Sequence, residues 1–170
     1  MTTIEALNEL NPSKAADFFE RTCGASKWIE QMVGYRPFDS VDELLNLAEA
    51  VWWSLDEEAW LEAFRHHPKI GDVSELRKRF AKTGGLSESE QSGVNEANEV
   101  VLERLATGNR LYEEKFGYIF IVFATGKSAL EMADLLDARL PHRPDAEIKV
   151  AAGEQLKITL LRLNNKLEEA

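Results

Sequence analysis

The chain has 170 residues and a mass of 19.2 kDa, with 20 Lys and Arg against 30 Asp and Glu, a net charge of -10 and a pI near 4.9. That length fits one domain with a sizeable core, taken here as residues 1–170. The charge excludes non-specific nucleic-acid binding, which needs a basic surface against phosphate, and disfavours anionic membranes. Cys23 is the only cysteine, which excludes an internal disulfide and an all-cysteine zinc site and suits a reducing cytoplasm, the expected location. The residues after Met1 lack the basic flank and apolar run of a signal peptide. The longest apolar run, 118–124, is far too short to span a bilayer.

In chain order the pattern predicts helices almost throughout. Asn11-Pro12 is a cap followed by proline at the first helical position, with Ala15, Phe18, Phe19 and Thr22 at helical spacing and Gly24 as the stop. Ser26 is read as the cap of a short helix through Trp28, Ile29, Met32 and Val33, broken by Gly34 and Pro37. Ser40-Val41-Asp42-Glu43 is a capping box opening a stripe of Leu44, Leu45, Leu47, Ala48, Val51 and Trp52. Asp56 caps a helix with Ala59, Trp60, Ala63 and Phe64 inward, stopped at Pro68. A short helix follows over 74–81. A long one covers about 87–115, with a break allowed at Thr107-Gly108-Asn109. Further helices cover 128–140 and the residues from Pro144 onward, where Ile148, Ala151, Leu156, Ile158, Thr159, Leu161 and Leu163 are available for burial.

The exception is Gly117-Tyr118-Ile119-Phe120-Ile121-Val122-Phe123-Ala124-Thr125-Gly126, aromatic and β-branched between glycines. No second strand-like run exists to pair with it, so it reads as a buried extended segment near 118–125 whose spare backbone groups need other partners, a ligand among the candidates. The expected fold is an all-α, single-domain bundle of eight to nine helices holding this segment.

Several local patterns can carry chemistry. Thr125-Gly126-Lys127-Ser128 resembles the end of a phosphate-binding loop, but Ile121 stands where that loop needs a glycine, so a turn and a helix start are the better reading. His66 and His67 follow an amphipathic helix at its forced stop. They can answer the helix dipole, or serve as acid and base near neutral pH. Adjacent helical residues diverge by about 100°, which suits one shared metal ion poorly, and no metal site is expected. Ser87 and Glu90 form a second capping box, and the helix start they define can also read a polar ligand. Arg162, set among Leu160, Leu161 and Leu163, either snorkels from the core edge or grips a carboxylate. Trp52, Trp53 and Trp60 offer an alternative, a non-catalytic helical interaction module, and His66 with His67 another, a metal-dependent hydrolase.

Taken together the patterns occur in one order: Arg36-Pro37-Phe38, His67-Pro68-Lys69-Ile70-Gly71, Ser87-x-x-Glu90-Gln91, Asn109-x-x-Tyr112-x-x-x-Phe116-Gly117-Tyr118-Ile119-Phe120, Gly126-Lys127-Ser128 and Leu161-Arg162-Leu163. Over essentially its whole length the chain resembles the 2-oxo-4-hydroxy-4-carboxy-5-ureidoimidazoline (OHCU) decarboxylases of urate degradation. The resemblance implies an all-helical, cofactor-free and commonly homodimeric enzyme that takes a small anionic substrate to (S)-allantoin. It implies catalytic roles for His67 and Glu90. Pro68, Ser87, Glu88, Ser89, Gln91 and Arg162 would contact substrate, together with the backbone of Phe120, Ile121, Val122, Phe123 and Ala124. Ile119 stands where relatives often carry proline, and Lys69 where they carry arginine.

The charge is uneven. Residues 1–63 hold 4 Lys and Arg against 13 Asp and Glu, whereas 65–91, where the histidines and the second capping box lie, hold 6 against 4. The acidity therefore sits ahead of the residues expected to meet an anion.

Overall fold

The computed structural model describes residues 2–69, 73–80 and 88–168, with backbone alone at 88–97 and 168. Nine helices stand among the described residues: α1 (Ile4–Glu9), α2 (Pro12–Glu20), α3 (Ser26–Gly34), α4 (Val41–Ser54), α5 (Glu57–Arg65), α6 (Val73–Phe80), α7 (Glu88–Phe116), α8 (Ala129–Arg139) and α9 (Pro144–Lys166). Two two-residue strands, β1 (Thr2–Thr3) and β2 (Leu167–Glu168), pair in parallel, with Thr2 opposite Leu167 and Thr3 opposite Glu168. The all-α expectation and the helix number hold. The chain divides into two compact units, Met1–His67 with Ile148–Ala170, and Pro68–Glu147.

In the first unit the helix starts follow from local capping chemistry. Asn11 Oδ1 accepts the Lys14 amide at 2.9 Å, Ser40 Oγ the Glu43 amide at 3.1 Å, and Asp56 Oδ1 the Ala59 amide at 3.0 Å. Each such cap contributes about 1 kcal/mol. The Glu43 carboxylate reaches back to the amide of Asp39 at 2.6 Å, one residue earlier than the capping-box pattern requires. Ser26 is not a cap. Ala25 occupies that position without a side-chain bond, and Glu62 of α5 instead takes both the Ser26 amide, at 2.8 Å, and the Ser26 hydroxyl. A tertiary partner has replaced the local one. Helix α1, too short for a periodic signal, starts at Thr3, whose hydroxyl accepts the Ala6 amide at 3.1 Å.

Arg36 explains the Arg-Pro-Phe pattern structurally. Its Nη1 donates to the Leu7 and Leu10 carbonyls at 2.9 and 2.6 Å and its Nε to Val33 at 3.2 Å, serving the orphan carbonyls where α1 and α3 end. The core holds Leu7, Phe19, Trp28, Met32, Leu44 and Phe64, all 0% exposed. Trp52 and Trp60 are buried too, and their indole N–H groups donate to the Ala152 and Trp52 carbonyls at 2.9 and 3.1 Å. Only Trp53 of the expected tryptophan face is exposed, so two of its three members are core.

In the second unit α7 continues through Gly108 without a break. A Cβ there would lie 2.5 Å from Leu136 Cδ2, so glycine lets α7 and α8 approach closely, and tertiary packing outweighs its poor helix propensity. Gly117, at φ 82°, turns the chain out of α7 into the non-helical residues 117–128. Phe120, Ile121 and Val122 are buried there, and Phe120 and Val122 pack in the core with Leu102, Leu105, Tyr112, Met132 and Leu136. No strand pairs with the segment among the described residues. Side chains serve its carbonyls instead: Arg139 Nη1 donates to Ile121 at 2.7 Å, and Lys127 Nζ to Phe123 at 2.7 Å. Gly126, at φ 74°, makes the following turn, and Ser128 caps α8 by accepting the Glu131 amide at 3.1 Å. The Thr-Gly-Lys-Ser pattern is thus a turn and a cap.

Candidate active site

His67 sits just past the C-terminus of α5, its amide bonded to the Phe64 carbonyl at 3.2 Å. The close approach of Gly24 shapes this corner, since a Cβ there would fall 2.3 Å from Cγ of His66. His67 Nε2 is hydrogen-bonded to Gln155 Oε1 of α9, and Gln155 Nε2 donates to Thr159 Oγ1 at 3.1 Å. An amide oxygen only accepts, so Nε2 carries the proton and the neutral ring presents the lone pair of Nδ1. No described residue hydrogen-bonds Nδ1. Burial holds the His67 pKa below the ordinary 6.5, and the neighbouring Arg162 and His66 push the same way, against the Gln155 bond. The ring is half-buried, oriented and neutral near pH 7, which are the properties of a general base.

Gln155, Thr159 and Arg162 lie three to four residues apart and so share a face of α9. Gln155 and Thr159 are 1% and 2% exposed, whereas Arg162 is exposed, with Nη1 3.4 Å from the Thr22 carbonyl. Its guanidinium therefore retains most of its donors. Cys23 is buried beside this face. Burial pushes its thiol up to about 11, so it is a packed thiol and not a nucleophile.

In the second unit, Glu147, 0% exposed, accepts from the Tyr112 hydroxyl at 2.5 Å and from Arg139 Nε at 2.7 Å, and pairs with His142 Nδ1 at 2.8 Å. Burial, then the bond to Glu147, push the Tyr112 hydroxyl far above its ordinary value, so it stays protonated and donates. The 139–147 pair was invisible as such in the sequence, where each residue reads as the polar side of an amphipathic helix.

Of the expected site residues, the first unit brings together His67 and Arg162 around Gln155 and Thr22. Phe120, Ile121, Val122, Phe123 and Ala124 belong to the second unit, as does exposed Pro68. Ser87 lies outside the described residues. Glu88, Ser89, Glu90 and Gln91 form the first turn of α7, and their side chains lie outside the described set. Among the described residues no three His, Cys, Asp or Glu side chains stand together as a metal set, and no helix is long and apolar enough to cross a membrane. Sequence reasoning missed Gln155. Its signal was a carboxamide one turn before Thr159 on an otherwise apolar helix face.

An all-helical chain that orients a neutral imidazole near a guanidinium has the equipment of an acid–base enzyme for a small anion. The family model described as OHCU decarboxylase matches residues 8–164, and the chain belongs to that family. It is 36% identical over 150 residues to the uric acid degradation bifunctional protein TTL of Arabidopsis thaliana, covering 86% of this chain and 45% of that protein. It is 27% identical to the 2-oxo-4-hydroxy-4-carboxy-5-ureidoimidazoline decarboxylase of Haloferax volcanii, over 95% of this chain and 94% of that one. The chain therefore spans less than half of the bifunctional plant relative and nearly all of the archaeal one. A crystal structure of an OHCU decarboxylase in the presence of (S)-allantoin superposes with a TM-score of 0.69 at 34% identity, over 88% of this chain and 96% of that one.

Proposed function

We propose that this chain decarboxylates OHCU to (S)-allantoin in urate degradation, with His67 as the general acid and base. The carbon–carboxylate bond breaks and carbon dioxide leaves. The electron pair spreads into the adjoining ring carbon–nitrogen system, and a proton is delivered to one face of the carbon that becomes the allantoin stereocentre. The substrate supplies its own electron sink, so the reading calls for no cofactor. Arg162 holds a carboxylate, Ser87 and Gln91 orient polar groups with Glu88, Ser89 and Pro68 around them, and Glu90 accepts from ureido or ring N–H groups. The backbone at Phe120, Ile121, Val122, Phe123 and Ala124 holds the ring. A single catalytic domain over residues 1–170, a homodimeric assembly and a cytoplasmic location belong to the same proposal.

The observation that carries it is the Thr159–Gln155–His67 chain, which fixes one imidazole tautomer and leaves the other nitrogen for a proton. Unassisted decarboxylation has no means of choosing a face and gives racemic product. Freshly made substrate followed by circular dichroism should therefore yield (S)-allantoin rapidly, and folded His67→Asn should lose nearly all of that rate. Racemic product at the uncatalysed rate would remove the enzyme reading, and a near-normal His67→Asn would remove His67 from it.

A further inference from the structure

The segment at 120–124 has no strand partner among the described residues, yet Phe120 and Ile121 are only 5% and 2% exposed. Something must set its backbone. Arg139, itself 6% exposed, meets two consecutive residues of it. Its Nη1 donates to the Ile121 carbonyl at 2.7 Å, and its guanidinium lies over the Phe120 ring, 4.5 Å from the centroid. The rest of the guanidinium is fixed from behind. Nε and Nη2 bond Glu147 Oε1 at 2.7 and 2.6 Å, and Nη2 lies 3.3 Å from the Tyr112 hydroxyl, which donates to the same carboxylate. Glu147 also pairs with His142. A buried pair of this kind contributes little net stability, because desolvation offsets the Coulombic gain. Its planar fork does hold a direction, which a lysine cannot do.

We infer that Arg139 is a positioning residue for the substrate: braced by Glu147, it fixes the carbonyl of Ile121 and the ring of Phe120, and so aims the backbone amides of 120–124. The inference rests on the proposed decarboxylation and on that segment's role in it. Amides that hold substrate and transition state alike supply uniform binding, whose loss raises KM and spares kcat.

The test compares two full-length variants in the stereospecific assay, with affinity for (S)-allantoin measured alongside by calorimetry. Arg139→Lys keeps a cation for Glu147 but loses the arm that reaches Ile121. Glu147→Gln keeps the guanidinium and its bond to Ile121 but removes the charged brace. Arg139→Lys should raise KM about tenfold and weaken allantoin similarly, with kcat within about twofold. Glu147→Gln should lower thermal stability more than it changes KM. If either variant does not fold, the doubly neutral Arg139→Met/Glu147→Leu, which strands no buried charge, takes its place and should reproduce the KM rise. A KM unchanged in Arg139→Lys, or KM rises in both variants that merely track the loss of stability, overturns the positioning role. Absence of stereospecific turnover in the unaltered protein instead overturns the proposed function itself, a result visible before any variant is made.

Discussion

Replacing Gln155 by glutamate is the sharpest probe of the imidazole's surroundings. The substitution preserves shape and puts a carboxylate where an amide oxygen now meets His67 Nε2. Two unit charges about 4 Å apart at an effective dielectric near 20 attract by roughly 4 kcal/mol, or about 3 pK units. Position 155 is 1% exposed, so desolvation of the new carboxylate takes back a large share. The remaining stabilisation of the imidazolium is about 1–2 pK units, or roughly 1.4–2.7 kcal/mol. The titration then belongs to the pair and not to His67 alone. The unaltered enzyme, with its lowered His67 pKa, should show an acid limb of kcat/KM below the ordinary 6.5. In Gln155→Glu that limb should move up by about 1–2 pH units, so turnover falls roughly tenfold near pH 6 and little above about pH 8. The assay is the pH profile of (S)-allantoin formation by circular dichroism. A folded Gln155→Glu with its acid limb unmoved would refute the reasoning, since either residue 155 does not face Nε2 in the working enzyme or the limb is not His67.

Two further outcomes follow from the same corner of the first unit. Because partial burial keeps His67 neutral, the unfolded chain binds its proton more readily, so stability should fall as pH drops below 6.5 toward the lowered folded value. Thermal melts of His67→Asn across that range should lose this component, and an unchanged slope would contradict the burial of the ring. Gly24→Ala would place its Cβ 2.3 Å from the His66 ring, so that ring must shift, and the expected outcome is that the shift carries into the adjoining His67. Its kcat/KM should fall about tenfold or more, an effect that native-like kinetics would disprove.

What was legible in the sequence was chemistry completed within one turn of chain. Asn11, Ser40, Asp56 and Ser128 each bind an amide three residues on, so their pattern is their structure. Where the partner came from elsewhere, the pattern misled. Ser26 looks like a cap, but its partner is Glu62, thirty-six residues away. Gly108 looks like a break until Leu136 fills the space beside it. The apolar run at 118–125 was legible as a non-helical segment, although only Phe120, Ile121 and Val122 of it are buried and Thr125 is exposed; the side chains serving its carbonyls, above all Arg139, were not legible. The site shows the same division. His67 and Arg162 drew notice as polar residues at a helix stop and on an apolar stretch. Gln155, which sets the tautomer, and Glu147, which braces Arg139, have partners fixed only by folding.

The short pairing of β1 with β2 has a mechanical consequence. The strands run parallel, with Thr2 beside Leu167 and Thr3 beside Glu168. A chain pulled from residue 2 outward and from residue 168 outward is therefore loaded along the strands. The slanted bonds of a parallel pair share such a load and slide together instead of opening one after another. Few as they are, these contacts act as a shear clasp, and tension along the polypeptide must break it before either end peels from the first unit.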